Sequence, residues 1–166
     1  MVLYATKQSQ FIICPRYGQV IKALAIKKEK DMEVIYKLST KQIKDLHYLY
    51  QNEWWTANRT LEETKKCVNG SQICIGLIDK NKTLKGFVRV ITDFTFKALI
   101  FDLIVENDYR GQGLSKKLMS FIKKHEDLTD VKHFELYCLP ELEIFYKQFE
   151  FTGEINGIKL LRHVNT

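Results

Sequence analysis

Apolar and polar positions alternate in several short segments of this chain, and each such segment predicts a strand. The first contains Val34, Tyr36 and Leu38. Two more strands are predicted on either side of the polar turn DKNKT, as in a hairpin. The segment FTFKALIFDLIV is apolar on both faces, which is typical of a strand inside a sheet. We predict the next strand at VKHFELYC and a closing hairpin at FEFTGEINGIKLLRHV.

Helical patterns separate these strands. Two capping boxes predict the starts of two helices, one opened by Ser39 and the other by Thr60. A third helix is predicted where apolar residues recur at i, i+4, i+7 and i+8: Leu114, Leu118, Phe121 and Ile122. Pro140 opens a fourth, short helix. The pattern indicates an α+β (mixed α/β) protein with one sheet of six or seven strands.

The chain divides into two unequal parts. Residues 1–31 show no sustained period and carry six basic against two acidic residues, so we interpret them as an N-terminal extension of unknown role. Residues 32–166 are predicted to form the compact domain, with 20 basic and 18 acidic residues. The net charge of +6 is therefore largely that of the extension, and general nucleic-acid binding is not expected.

The remaining composition excludes several classes of protein. No apolar run approaches the ~20 residues of a membrane helix, and the N-terminus does not resemble a signal peptide, so we expect a cytoplasmic protein without membrane contacts. The four cysteines form neither a C-x-x-C pair nor a zinc-spaced cluster, which predicts free thiols and no metal. Cys138 and His133 are five residues apart in one predicted strand, on opposite faces, so Cys138 is expected to be a buried structural residue.

The segment VENDYRGQGLSKKLM, residues 105–119, joins a strand to a helix through two glycines. A helix N-terminus carries unpaired N–H groups that attract phosphates, and glycine lets an anion approach them closely. The Walker A motif is absent. A dinucleotide fingerprint would need a third glycine where Lys116 stands. Coenzyme A is a third class of ligand whose diphosphate binds at such joints.

This joint resembles the signature of the GNAT acetyltransferase superfamily, Arg/Gln-x-x-Gly-x-Gly/Ala at the start of a helix after the fourth strand. The matching run is Arg110, Gly111, Gln112, Gly113, Leu114 and Ser115, with Ser115 in place of the last Gly/Ala. The segment LEIFYKQFEF resembles a later family motif, with Glu150 in place of a glycine. NEWWTANR and GFVRVITD resemble a bacterial subgroup with Trp-Trp before an Arg. The likeness covers about residues 33–153.

The resemblance implies a mostly antiparallel sheet whose fourth and fifth strands splay apart, flanked by about four helices. It implies that acetyl-CoA lies between these strands as a cosubstrate. The pantetheine would pair with the backbone of Leu103, Ile104 and Val105, and the diphosphate would lie on residues 110–115. An acceptor amine would then attack the thioester directly.

The resemblance implies that Tyr146 is the general acid that protonates the coenzyme A sulfur. The alternative is that Tyr146 is a packing residue in the apolar stripe of the fourth helix, which contains Leu142, Phe145 and Phe149. Asp102 is the lone charge in its strand, so burial would raise its pKa toward that of a general base. It can equally bind backbone or another side chain. Asp93 and Glu53 are weaker candidates, and a water chain is a further one.

The resemblance places the acceptor near Trp54, Trp55 and Arg59. We expect these residues to shape the acceptor pocket, with Arg59 available for a carboxylate of the acceptor. Alternatively, the tryptophans anchor the preceding helix to the core. Arg89 and Asp93 are also assigned to acceptor binding, or they pair with each other.

The predicted function is transfer of an acetyl group from acetyl-CoA to a primary amine of a small molecule or peptide, by a monomer or homodimer. The alternative is a non-catalytic acetyl-CoA-binding sensor or interaction module. A nucleotide-dependent oxidoreductase is disfavoured by the missing third glycine.

Overall fold

The computed structural model describes residues 32–158 and 160–164. The predicted N-terminal extension and Cys14 lie outside the described residues. Within them, five strands form one sheet in the order β1-β2-β3-β4-β5, antiparallel except for the parallel pair β4–β5. The strands are β1 (Glu33–Ile35), β2 (Ile73–Ile78), β3 (Leu84–Thr92), β4 (Lys97–Val105) and β5 (His133–Leu136).

Four α-helices complete the described fold, as predicted. They are α1 (Thr40–Gln51), α2 (Leu61–Asn69), α3 (Leu114–Lys123) and α4 (Glu143–Lys147). Both predicted capping boxes are formed, with Ser39 accepting from the N–H of Gln42 and Thr60 from that of Glu63. Each box satisfies N–H groups that would otherwise lack a partner at a helix start.

The sheet is covered on both faces. On one face, the apolar stripe of α3 packs against alternate residues of β2, β3 and β4, such as Ile75, Val88 and Ile100. On the other face, α1 contributes Leu46, Leu49 and Tyr50 to a second cluster with β2, β3 and β4 residues. The burial of β2 and β3 on both faces explains their nearly continuous apolar sequences.

A bulge interrupts β4 at Asp102. Arg89 pairs with Phe101 and Phe87 with Ile104, so β4 contains one residue more than β3 over this interval. Asp102 has a φ of 55°, in the left-handed region. The extra residue turns Asp102 toward the α1 face of the sheet, where a regular strand would have pointed it toward α3.

The pairing of β4 with β5 ends directly before this bulge. The last paired residues are Ile100 and Leu136, and β4 continues alone on that side to Val105. The rings of Phe101 and Tyr137 lie 6.2 Å apart where the two segments begin to separate. This separation agrees with the predicted splayed strands.

The prediction of six or seven strands is wrong for the described part of the chain, which has five. The expected closing hairpin is not formed between residues 151 and 158 or 160 and 164. Asn156 and Gly157 have φ values of 54° and 78°, which suit a hairpin turn, but the described residues on either side of them form no strand. Ile158 and Leu161 are exposed there. No helix within the described ranges has the length and apolar character needed to span a membrane.

Candidate active site

The glycine joint directly follows the unpaired end of β4. A short 3-10 segment, Asn107–Tyr109, leads from β4 to Gly111 and Gly113, whose φ values are 71° and 87°. Helix α3 begins at Leu114 without a side-chain cap. Glycine tolerates this left-handed backbone without the steric penalty of a side chain, so both glycines are needed to form the turn.

The joint presents backbone N–H groups to an open space. The N–H groups of residues 111–116 have no hydrogen-bond acceptor among the described residues. A Cβ built on Gly111 would meet nothing within 4 Å. The side chain of Leu114 is buried in the core, so only its backbone is available to a ligand. The helix dipole adds about half a positive charge at this end, which suits an anion such as a diphosphate.

Arg110 extends from the joint toward the end of α1. Its Nε donates to the carbonyl oxygen of Val105 at 3.0 Å, and its Nη2 forms an ion pair with Glu53. A cleft of about 210 Å³ lies between the end of α1 and the end of β4, and both charged residues line it. Arg110 of the joint and Glu53 after α1 therefore meet at this cleft. The predicted acceptor residues line a separate cleft: Trp54, Trp55 and Arg59.

Asp102 is the centre of a buried ionic cluster on the α1 face. Arg59 donates to its two carboxylate oxygens at 2.9 and 3.1 Å, and Arg89 Nε donates to Oδ2 at 2.6 Å. The hydroxyl of Tyr50 donates to the same Oδ2 at 2.8 Å. The Asp102 side chain is only 3% exposed. A carboxylate that accepts four hydrogen bonds from charged and polar donors is held firmly in one orientation.

The expected rise in the Asp102 pKa is wrong. Burial alone would raise this pKa, but hydrogen bonds and charge from Arg59 and Arg89 outweigh burial, and the pKa lies below its ordinary value. Burial and the neighbouring carboxylate raise the pKa of Tyr50, so its hydroxyl stays protonated and donates. The alternative, that Asp102 binds other side chains, is what the geometry shows. Its role as a general base stays an untested prediction that a lowered pKa disfavours.

The two arginines assigned to the acceptor are directed at Asp102. Arg89 is buried; besides Asp102, it contacts the hydroxyl of Ser71, to which Nη1 donates at 3.3 Å, and the ring of Phe101, whose centroid lies 4.7 Å from the guanidinium. Asp93 does not pair with Arg89; it is exposed at the β3–β4 turn, where its carboxylate accepts from the N–H groups of residues 95, 96 and 97. These hydrogen bonds lower the Asp93 pKa. Asp93 therefore has a structural role in the turn, and its assignment to acceptor binding loses its geometric basis.

The tryptophans lie beside Arg59 in the turn after α1. Trp55 contacts the ring of Tyr50, with centroids 6.4 Å apart, and the Arg59 guanidinium lies 4.7 Å from the Tyr50 centroid. Trp54 is 75% exposed, so it does not anchor α1 to the core. A shallow cleft of about 180 Å³ is lined by both tryptophans and Arg59. Their predicted role in the acceptor pocket stays a prediction.

Tyr146 lies in α4 and packs between Phe145 and Phe151 on the α3 side of the sheet. Burial, and secondarily the thiol of Cys138, raise its pKa to about 12. Its hydroxyl is therefore protonated at neutral pH. Cys138 is exposed and lies beyond the end of β5, so the prediction of a buried cysteine within that strand is wrong. The strand ends at Leu136 because β5 loses its partner where β4 bulges.

Sequence reasoning missed two contacts of this site. Tyr50 was not predicted as a site residue, although its hydroxyl binds Asp102. Glu53 was predicted only as a weaker candidate for the general base, although it pairs with Arg110. The lone acid in an apolar strand was a usable signal, because a buried charge requires partners, and two arginines were already predicted nearby.

The family model for the acetyltransferase (GNAT) domain matches residues 69–153, which include β2 to β5, the glycine joint and α4. The chain belongs to the GNAT acetyltransferase family. A solved structure of a Xanthomonas campestris protein assigned to the same family superposes with a TM-score of 0.72 at 26% identity, covering 81% of this chain and 93% of that one. This likeness confirms the GNAT fold.

Several relatives carry the name uncharacterized N-acetyltransferase ycf52. The protein from Gracilaria tenuistipitata is 33% identical over 118 residues, which cover 69% of this chain and 64% of that protein. The protein from Porphyra purpurea is 30% identical over 134 residues, covering 78% of this chain and 76% of that protein. The chain thus spans less than two thirds of the length of the Gracilaria protein. Its substrates and partners therefore belong to the proposed function.

We predict that Asp102→Asn lowers the free energy of unfolding by about 3 kcal/mol, because two guanidinium groups are left without their counter-charge. The estimate takes the lower end of the range for a buried pair because Arg59 is partly exposed. Urea unfolding of this variant and of the exposed control Asp130→Asn measures the effect. Equal stability of the two variants would contradict the structural role of Asp102.

We also predict the pH dependence of this contribution. The folded-state pKa of Asp102 lies below the ordinary value of 3.8, so its stabilisation is fully present above about pH 5. It is lost as the pH falls through the ordinary value toward the folded pKa, because protonation removes the charge that both arginines bind. The difference in unfolding free energy between wild type and Asp102→Asn should therefore shrink on acidification. A difference that grows toward low pH would contradict the lowered pKa.

Proposed function

We propose that this protein transfers an acetyl group from acetyl-CoA to a primary amine of a small molecule or peptide. The observation that carries the proposal is the glycine joint, whose unpaired N–H groups lie at the end of β4 where β5 separates from it. Membership of the GNAT family supports the reaction class. The proposal also includes membership of the subgroup with Trp-Trp before an Arg. It further includes a monomeric or dimeric state and a reducing, cytoplasm-like compartment.

The proposed reaction places the diphosphate on residues 110–115 and the pantetheine along β4. The backbone from Leu103 to Val105 lacks a β5 partner. The carbonyl oxygen of Val105 accepts a hydrogen bond from Arg110 Nε. The acceptor nitrogen bonds to the acetyl carbon and loses a proton, and the carbon–sulfur bond breaks. The sulfur leaves as a thiol. Among the described residues, no group of three His, Cys, Asp or Glu side chains lies together as metal ligands.

Tyr146 is the proposed donor of the proton that the sulfur takes. A pKa of about 12 keeps the phenol protonated until the thiolate forms, and the proton is then replaced from solvent. Direct measurement of thiol release from acetyl-CoA with a panel of amines tests the whole proposal. Release above the amine-free rate supports it. Bound coenzyme A without thiol release would favour the non-catalytic module.

We predict that Gly111→Ala weakens coenzyme A binding by about tenfold or more, because a Cβ at this position enters the space assigned to the diphosphate. Gly157→Ala is the matched control, since its φ of 78° and open surroundings impose a similar backbone penalty away from α3. Isothermal titration calorimetry measures both affinities. Equal weakening by the two variants would refute the diphosphate site.

We predict that Tyr146→Phe lowers kcat by about 100-fold while the affinity for acetyl-CoA stays unchanged, because only proton donation is removed. Tyr36→Phe, a half-exposed tyrosine on the far edge of the sheet beyond β1, is the control. Steady-state kinetics with the best amine of the panel gives both parameters. Undiminished turnover would exclude Tyr146 from the mechanism.

A further inference from the structure

The ion pair between Glu53 and Arg110 connects the two halves of the proposed site. Glu53 follows α1, and its backbone carbonyl accepts from the N–H groups of Thr56 and Ala57, so the turn holds it in place. Arg110 belongs to the glycine joint. The Glu53 side chain is 16% exposed and that of Arg110 is 50% exposed. The carboxylate is therefore held within the cleft, whereas the guanidinium has access to solvent and can move.

Arg110 has two possible anionic partners, Glu53 and a diphosphate on the joint, which compete for the same guanidinium group. Its Nη2 is occupied by Glu53, while the unpaired N–H groups assigned to the diphosphate begin one residue further along. A diphosphate on the joint would bring a strong bidentate acceptor to the same guanidinium. Binding there competes with the ion pair to Glu53.

We propose that the two substrates exchange the partners of this ion pair: Arg110 binds the diphosphate, and the released Glu53 binds the ammonium group of the acceptor. Glu53 is then a specificity-determining residue for a cationic acceptor. This inference rests on the proposed function, since it requires coenzyme A on the joint.

The charges around the cleft favour a cationic acceptor. Glu53, Glu106 and Asp108 line it together with Arg110. Lys85 neutralises Glu106 at 2.7 Å, so withdrawal of Arg110 leaves Glu53 and Asp108 as an uncompensated negative charge. Arg59, the residue expected to bind an acceptor carboxylate, already has both Asp102 oxygens as partners. An ammonium group would neutralise this negative charge of the cleft, whereas a carboxylate would add to it.

The exchange makes the two substrates bind cooperatively. An ammonium group on Glu53 removes the competitor of the diphosphate, and a diphosphate on Arg110 removes the competitor of the ammonium. By thermodynamic linkage, each substrate raises the affinity for the other by the same factor. A positively charged amine therefore promotes binding of the highly anionic cosubstrate through a specific carboxylate.

Calorimetric titration of coenzyme A into single and double variants tests the competition. We expect Glu53→Gln to tighten binding about threefold, the magnitude of a partly exposed ion pair. In the Arg110→Gln background, Glu53→Gln should have no effect, because the competition acts only through Arg110. Glu62→Gln, an exposed acid on α2 that pairs only with Lys65 among the described residues, controls for the change in net charge.

The outcomes separate the two proposals. No coenzyme A binding by the well-folded wild type refutes the proposed function itself. Wild-type binding with unchanged affinity in Glu53→Gln overturns the exchange alone. Equal tightening by Glu53→Gln with and without Arg110, or by Glu62→Gln, also overturns it, since general electrostatics would then explain the change.

A second titration tests the ammonium site with 1,4-diaminobutane as the probe. At matched ionic strength, the diamine should tighten coenzyme A binding to the wild type and leave Glu53→Gln unaffected. An equal response of both proteins, or no response of the wild type, contradicts the assignment of Glu53 to the acceptor.

Discussion

The site depends on one carboxylate held at a bulge. Asp102 occupies a left-handed backbone position within β4, which is unfavourable for most residues, and its side chain joins β4 to three other parts of the chain. It binds α1 through Tyr50, the turn after α1 through Arg59, and β3 through Arg89. The ionic cluster compensates for the strained backbone and fixes the turn after α1 to the sheet.

The bulge also determines where the strands separate. β4 pairs with β5 up to Ile100 and then turns, so its last residues pair only with β3. The glycine joint continues directly from this unpaired end. One extra residue in β4 thus has two effects: it directs Asp102 to the α1 face and opens the edge of β4 along which the cosubstrate is proposed to lie.

Local signals were sufficient for much of this architecture. Capping boxes, the stripe of α3 and the glycine pair each act within a few residues, and the sequence predicted them correctly. The bulge could not be predicted, because an inserted residue in a strand is recognised only by its register with a neighbour. For the same reason, the partners of Asp102 were missed: Arg59 is 43 residues away in sequence, and only tertiary packing brings the charges together. The closing hairpin was overpredicted: its Asn-Gly turn is present, but the flanking segments form no strand within residues 151–158 and 160–164.

The two acidic residues of the site, Asp102 and Glu53, differ in burial and in partners, which favours a structural role for the first and a substrate-binding role for the second. Asp102 has a low pKa because two arginines bind it, and a carboxylate with a low pKa is a weak proton acceptor. In the proposed reaction, the acceptor ammonium therefore loses its proton through the cleft at the end of β4 rather than to Asp102. Glu53 lies in that cleft and, in the proposed exchange, contacts the ammonium directly while solvent is close by. In this proposal, the buried Asp102 maintains the shape of the site, and Glu53 at the cleft binds the substrate.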